Sequence, residues 1–208
     1  MDLEDQIINY FESKKEVYVK IDDEASIIKI YNLLINKILF EPTSELEFYY
    51  LGYYYQGIEV NQDLMKKYYS KAKKNSYTMN NLGMYYSSIG NYDSMTKYYL
   101  KAIKLKNPIA MSNLGYYYCS IKKYDMMKKY YLKSIKLGNP TAMFNLGRYY
   151  EVVEKNYPLM KKYYINSSDL GGPYAMNYLI MYNITNDRNV KNLKLINKYL
   201  DLIEHTEE

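Results

Sequence analysis

Apolar side chains recur at spacings of three and four through most of the chain, in pairs of short runs separated by polar turns. Met111, Leu114, Tyr118 and Ile121 make one such stripe, and Met127, Tyr131, Ser134 and Ile135 make the next. This spacing puts each set on one face of an amphipathic helix, so the pair predicts two helices joined by a tight turn. The turns inside such pairs are short, as at Ile89-Gly90-Asn91 and Lys122-Lys123. Between pairs stand Lys106-Asn107-Pro108, Gly138-Asn139-Pro140 and Gly171-Gly172-Pro173. Gly or Asn past one helix end and Pro at the next helix start are the expected stop and start signals. Asp63, Asp93 and Asp125 open the second helices, where an acid suits the positive end of the helix dipole.

The pairs are copies of one unit. Leu-Gly recurs at Leu51-Gly52, Leu82-Gly83, Leu114-Gly115 and Leu146-Gly147, and an aromatic run follows each time. Met-x-Lys-Tyr-Tyr recurs at 65–69, 95–99, 127–131 and 160–164. A degenerate fifth unit begins at Pro173, with Ile180 in the glycine position. A period of 20 to 50 residues is the signature of stacked-repeat architectures. The predicted fold is all-α: a right-handed solenoid of stacked antiparallel helix pairs. Residues 44–185 form the repeats, residues 1–43 an N-terminal helical cap, and residues 186–208 a C-terminal capping helix. The alternating segment Val17–Ile21 has no assigned place in this scheme.

Asn-Leu-Gly-x-x-Tyr in the first helix, Tyr-x-Lys-Ala/Ser in the second and Asn-Pro or Gly-Pro at the junction resemble the tetratricopeptide and Sel1-like repeat families. The longer connection at residues 55–63 is similar to the Sel1 type, and Lys123-Tyr124-Asp125 to the tetratricopeptide turn. Met stands where the family usually has Trp at the first-helix entry. The resemblance implies a superhelix whose first helices line a concave groove for a peptide or protein partner. It also implies that the Asn before Leu-Gly, here Asn81, Asn113 and Asn145, points into that groove and hydrogen-bonds a guest backbone. An amide suits that task because it donates and accepts at once. Asn80, Ser112, Tyr116, Phe144 and Arg148 are expected beside the row. The competing reading has each Asn tie its own helix to a neighbour.

Composition changes this picture in two ways. Tyrosine occurs 31 times against four Phe and no Trp, so tyrosine fills interior sites, each hydroxyl needing a hydrogen-bond partner or water. Charge is unevenly spread. Residues 1–60 carry 5 Lys against 12 acids, and residues 61–170 carry 19 Lys and Arg against 6 acids. Lys66, Lys67, Lys97, Lys128, Lys129, Lys161 and Lys162, all on second helices, form an alternative basic face for RNA or an acidic partner. The Lys-Tyr adjacency resembles single-strand binding, whereas plain solvation of a helix face also accounts for it.

Catalysis finds little support. His205 is the one histidine and has no neighbour with which to build a triad. Cys119 has no histidine in the repeats to activate it and reads as a structural thiol. No phosphate-cradling glycine motif is present. A single cysteine excludes an internal disulfide and fits a reducing compartment, and the acidic start Met1–Asp5 is unlike a secretory signal. No run reaches the roughly 18 apolar residues of a membrane span. The sequence therefore predicts a cytoplasmic, non-enzymatic adaptor that needs no cofactor or metal and has no membrane partner, its oligomeric state open.

Overall fold

The computed structural model describes residues 44–57, 60–172 and 174–186, with side chains to residue 182. The two capping segments, Val17–Ile21 and His205 therefore lie outside the described residues. Nine helices and no strand occur among the described residues. The chain divides into two compact units, Met1–Ala110 and Met111–Glu208. The first contains the hairpins α1 (Glu45–Gly57) with α2 (Gln62–Lys71) and α3 (Ser76–Ser88) with α4 (Tyr92–Lys104). The second contains most of α5 (Pro108–Ser120), then α6 (Tyr124–Ile135), α7 (Pro140–Val152), α8 (Tyr157–Asp169) and α9 (Ala175–Asn186). In each unit, consecutive helices pack as antiparallel pairs and one pair stacks on the next.

The turns explain the recurrent Asn, Gly and Lys. Gly90, Lys106, Lys122, Gly138, Lys155 and Gly171 all adopt positive φ, between 52° and 75°. Each ends a helix in the left-handed conformation. After α4, for example, Lys106 N–H donates to Ile103 O and Asn107 N–H to Ala102 O, which satisfies the last carbonyls. Asparagine then starts the next helix. The side chains of Asn61, Asn75, Asn91, Asn139 and Asn156 accept from backbone N–H groups of the following first turn, and Asn107 caps Ala110 N–H in the same way. Asp63 and Asp93 sit just inside the first turn and add charge, while the preceding Asn makes the cap. At Lys123, before α6, no side chain caps the helix. Ile121, expected on the buried stripe of α5, lies in the turn instead and is exposed, because the helix ends at Ser120 and Lys122 reverses the chain.

The Leu-Gly and Tyr-Tyr signatures meet inside each hairpin. A Cβ built on Gly52, Gly83, Gly115 or Gly147 would fall 2.2 to 2.7 Å from ring carbons of Tyr69, Tyr99, Tyr131 or Tyr164. The glycine therefore exists to let the second tyrosine of Tyr-Tyr lie flat on the first helix. The first tyrosine stacks face to face with a ring from the first helix. Tyr55–Tyr68, Tyr86–Tyr98, Tyr118–Tyr130 and Tyr150–Tyr163 have centroids 5.3 to 5.6 Å apart and planes within 8°. Each such pair adds about 0.5–1.5 kcal/mol beyond its buried area. Met65, Met95, Met127 and Met160 fill the core beside them.

Candidate functional site

Two members of the asparagine row, Asn81 and Asn145, bond to tyrosines of the preceding hairpin. Asn81 on α3 is 7% exposed, and its amide N–H donates to the Tyr69 hydroxyl at 3.0 Å. Tyr69 in turn donates to Gln56 Oε1 at 2.6 Å, and the Asn80 amide lies 3.4 Å from Asn81 Oδ1. Asn145 on α7 likewise donates to the Tyr131 hydroxyl. In both cases the amide of one hairpin reaches the core tyrosine of the hairpin before it. Tyr164 donates to Glu151 at 2.7 Å. These bonds are why the interior takes Tyr and not Phe at 69, 131 and 164. Burial raises the Tyr49, Tyr131 and Tyr164 hydroxyls well above the usual tyrosine pKa, so they stay protonated donors. Asn113 is half-buried.

Around this row the first-helix face is uneven. Asn80 and Ser112 are buried. Tyr116 and Met181, two residues after the Leu of their own helices, are 66% and 60% exposed. Arg148 holds the same position on α7, its guanidinium carbon 4.6 Å from the Tyr178 ring centroid. Arg148 is the one cation carried by any first helix from α1 to α9 among the described residues. Phe144 is half-buried, with its ring 5.5 Å from Tyr164, 5.1 Å from Tyr178 and 6.4 Å from the exposed Tyr174. In the second unit, then, Tyr116, Arg148 and Met181 form a half-open row of one aromatic, one cation and one thioether.

The lysines sort into two sets that the sequence had grouped as one. Lys66, Lys128 and Lys161, immediately after the Met of their motif, turn toward the next hairpin. Lys66 lies 5.1 Å from the Tyr85 ring, and Lys161 lies 5.0 Å from the Tyr182 ring. Lys128 pairs with Glu154 and lies 4.9 Å from the Tyr149 ring, and the Tyr149 hydroxyl donates to the same carboxylate at 2.8 Å. The Lys128 ammonium and then the Tyr149 hydroxyl hold the Glu154 carboxyl below the usual range. Lys67, Lys97, Lys129 and Lys162, one residue further on, are exposed. One residue is about 100° of helix, enough to separate the two roles.

A cleft of about 330 Å³ in the first unit escaped the sequence reading. It opens between the two hairpins and is lined by Tyr55, Gln56, Val60, Met65, Met84 and Tyr85, among others. It lies beside the longer connection after α1, the one local signal that could have marked it. Cys119 is half-buried, and burial raises its thiol pKa, away from reactivity. Among the described residues no cluster of three His, Cys, Asp or Glu could hold a metal, and no helix is long and apolar enough to cross a membrane.

Comparison with known proteins adds three findings. The tetratricopeptide repeat model matches residues 76–108, which is the α3–α4 hairpin and its exit. The structure is similar to that of a Sel1 repeat protein from Oxalobacter formigenes, with a TM-score of 0.62, 20% identity and 74% of each chain covered. It is also similar to the immunity protein Pa5087 from Pseudomonas aeruginosa, with a TM-score of 0.54, 23% identity, and coverage of 85% of this chain and 69% of that one. No curated protein matches the chain in sequence. With one hairpin matching the tetratricopeptide repeat model and a fold similar to that of a Sel1 repeat protein, the described residues have a helical-repeat fold similar to the tetratricopeptide and Sel1-like class.

Proposed function

We propose that this protein is a non-enzymatic adaptor that binds a peptide segment of a protein partner along its first-helix face. Helical-repeat folds of this class generally serve as protein-interaction scaffolds. The observation that carries the reading is the row Tyr116, Arg148 and Met181, in which Tyr116 and Met181 are exposed and Arg148 is half-buried, each two residues after a buried Leu of its helix. A core repeat needs none of these side chains. An exposed tyrosine, a methionine and an arginine already oriented by a ring are the residue types that dominate interface energies. Asn113 and the edge of Phe144 flank the row and complete the proposed contact surface. Asn81 and Asn145 support it indirectly, by locking adjacent hairpins in register through Tyr69 and Tyr131.

The RNA alternative on the second helices receives less support. The tyrosines beside those lysines are stacked on other tyrosines, which leaves little ring face for a base.

The test is selection of peptides from a random displayed library on the full chain, with binding then measured by fluorescence anisotropy. Tyr116→Ala with Arg148→Ala should weaken selected peptides by about tenfold or more, as expected for interface anchors. Raising the salt should weaken them little, because one cation is involved. Selected peptides that bind this double variant as tightly as the parent would overturn the reading.

A further inference from the structure

The outward faces of α4 and α6 carry the same four residues in the same register. On α4 these are Lys97, Leu100, Lys101 and Lys104; on α6 and its C-cap they are Lys129, Leu132, Lys133 and Lys136. All eight side chains are exposed, with Leu100 at 39% and Leu132 at 43%. The opposite faces are buried, through Met95, Tyr99 and Ala102 on α4 and Met127, Tyr131 and Ser134 on α6. The pattern is specific to these two helices. The same positions hold Lys67, Ser70, Lys71 and Lys74 in the first hairpin, and Lys162, Ile165, Asn166 and Asp169 in the fourth.

We infer that each of these faces is a docking site for an acidic amphipathic helix of a protein partner, with a leucine at its centre and carboxylates around it. The argument rests on what each candidate partner could place against the patch. An apolar centre with a polar rim is the anatomy of a protein interface, and here the rim is entirely cationic. Asp93 and Asp125 stand one turn before Lys97 and Lys129, and the other two lysines of each patch have no acid three or four residues away on their own helix. Each patch is thus an uncompensated positive field around a leucine, and its complement is acids around an apolar side chain.

A phosphate backbone offers nothing to Leu100 or Leu132. The nearby rings are also taken: Tyr98 is stacked on Tyr86 with Lys101 Nζ 4.9 Å from its centroid, and Tyr130 is stacked on Tyr118 with Lys133 Nζ 5.8 Å away. A bilayer is matched by a broad apolar helix face. In α4 and α6 that face is in the core, and within each helix one leucine remains outside, with a further exposed leucine, Leu105 or Leu137, only in the turn that follows. From its first to its last lysine each patch spans eight residues and seven helical rises, about 10 Å at ~1.5 Å per rise, the length of two turns of a docked helix.

The test uses the full chain and an acetylated, amidated helical peptide bearing Glu, Leu, Glu and Glu at the mirrored spacing. A scrambled peptide of the same composition, an oligouridine and phosphatidylserine-containing vesicles serve as competitors. The patterned peptide should bind about tenfold tighter than the scrambled one, the worth of one buried leucine. Leu100→Ser with Leu132→Ser should remove that preference. Lys101→Glu with Lys133→Glu should remove binding to both peptides. All substituted positions are exposed, so circular dichroism should be unchanged, and Tyr116→Ala/Arg148→Ala should leave this binding intact. Three results would overturn the inference: equal affinity for the scrambled peptide, preferential binding to oligouridine or vesicles, or sedimentation showing that the patches hold a second copy of the chain.

Discussion

At the scale of single residues, each repeat is decided by one contact, the ring of the second tyrosine on the glycine of Leu-Gly. Gly83→Ala tests it with a built-in sign. Helix propensity alone would make alanine more stable by about 0.5–1 kcal/mol. The new Cβ would meet the Tyr99 ring at 2.5 Å, and overpacking of this kind costs about 1–3 kcal/mol. A fall in the urea midpoint is therefore expected, and a rise would show that the ring is not held there. The glycine period was legible in the sequence, whereas the ring that packs on each glycine was not. Asn81 shows the same limit from the other side. Its period and its helix were readable, but its direction was set by Tyr69, twelve residues earlier on a different helix.

At the scale of elements, most helix boundaries follow a simple rule of left-handed stop and asparagine start, and Lys123, where α6 starts without an asparagine, makes a test. Lys123 has φ −85° and ψ 69°, close to the −87° and 79° of Asn91 and the −92° and 83° of Asn156, yet it contributes no cap bond. Lys123→Asn should supply one and stabilise the fold by about 1 kcal/mol, seen as a higher urea midpoint at unchanged slope. An unchanged midpoint would mean that water already serves the α6 amide groups as well. The helix pairs, their turns and the asparagine-proline junctions were all readable from local sequence, because stop and start chemistry acts over three or four residues. The splitting of the lysines was not. Lys66 and Lys128 find their rings 19 and 21 residues further on, at Tyr85 and Tyr149.

At the scale of the whole molecule, a tyrosine-filled interior makes stability depend on pH on the alkaline side. Burial raises Tyr49, Tyr131 and Tyr164 above their ordinary value of 10.0, and Tyr98, Tyr130 and Tyr163 are also raised. Below that ordinary value both folded and unfolded states keep the phenolic protons, so the contribution of these groups is fully present. Above it the unfolded chain releases protons that the folded chain retains, and stability falls as pH rises. Phenolate absorbance and far-UV circular dichroism should then change together, in one cooperative alkaline transition. Gradual ionisation with the helical signal intact would show that the hydroxyls are accessible in the folded state. On the acid side Glu154 runs the opposite way. Its lowered pKa contributes stability above the usual carboxyl value, and that contribution is lost as pH falls through the folded value.

By itself the sequence determined the repeat, the all-helical hairpins, the junction chemistry and the absence of a catalytic histidine from the repeats. Each of these is written in neighbours a few residues apart or in a period that recurs four times. Only the tertiary structure decided which polar side chains are available to a partner. Asn80, Asn81 and Ser112 became interior, Lys66, Lys128 and Lys161 became links between hairpins, Arg148 stayed half-buried against Tyr178, and Tyr116, Leu100 and Leu132 remained outside. The reason is geometric. Helical period fixes the face on which a residue lies, but how the next hairpin stacks determines whether that face is covered.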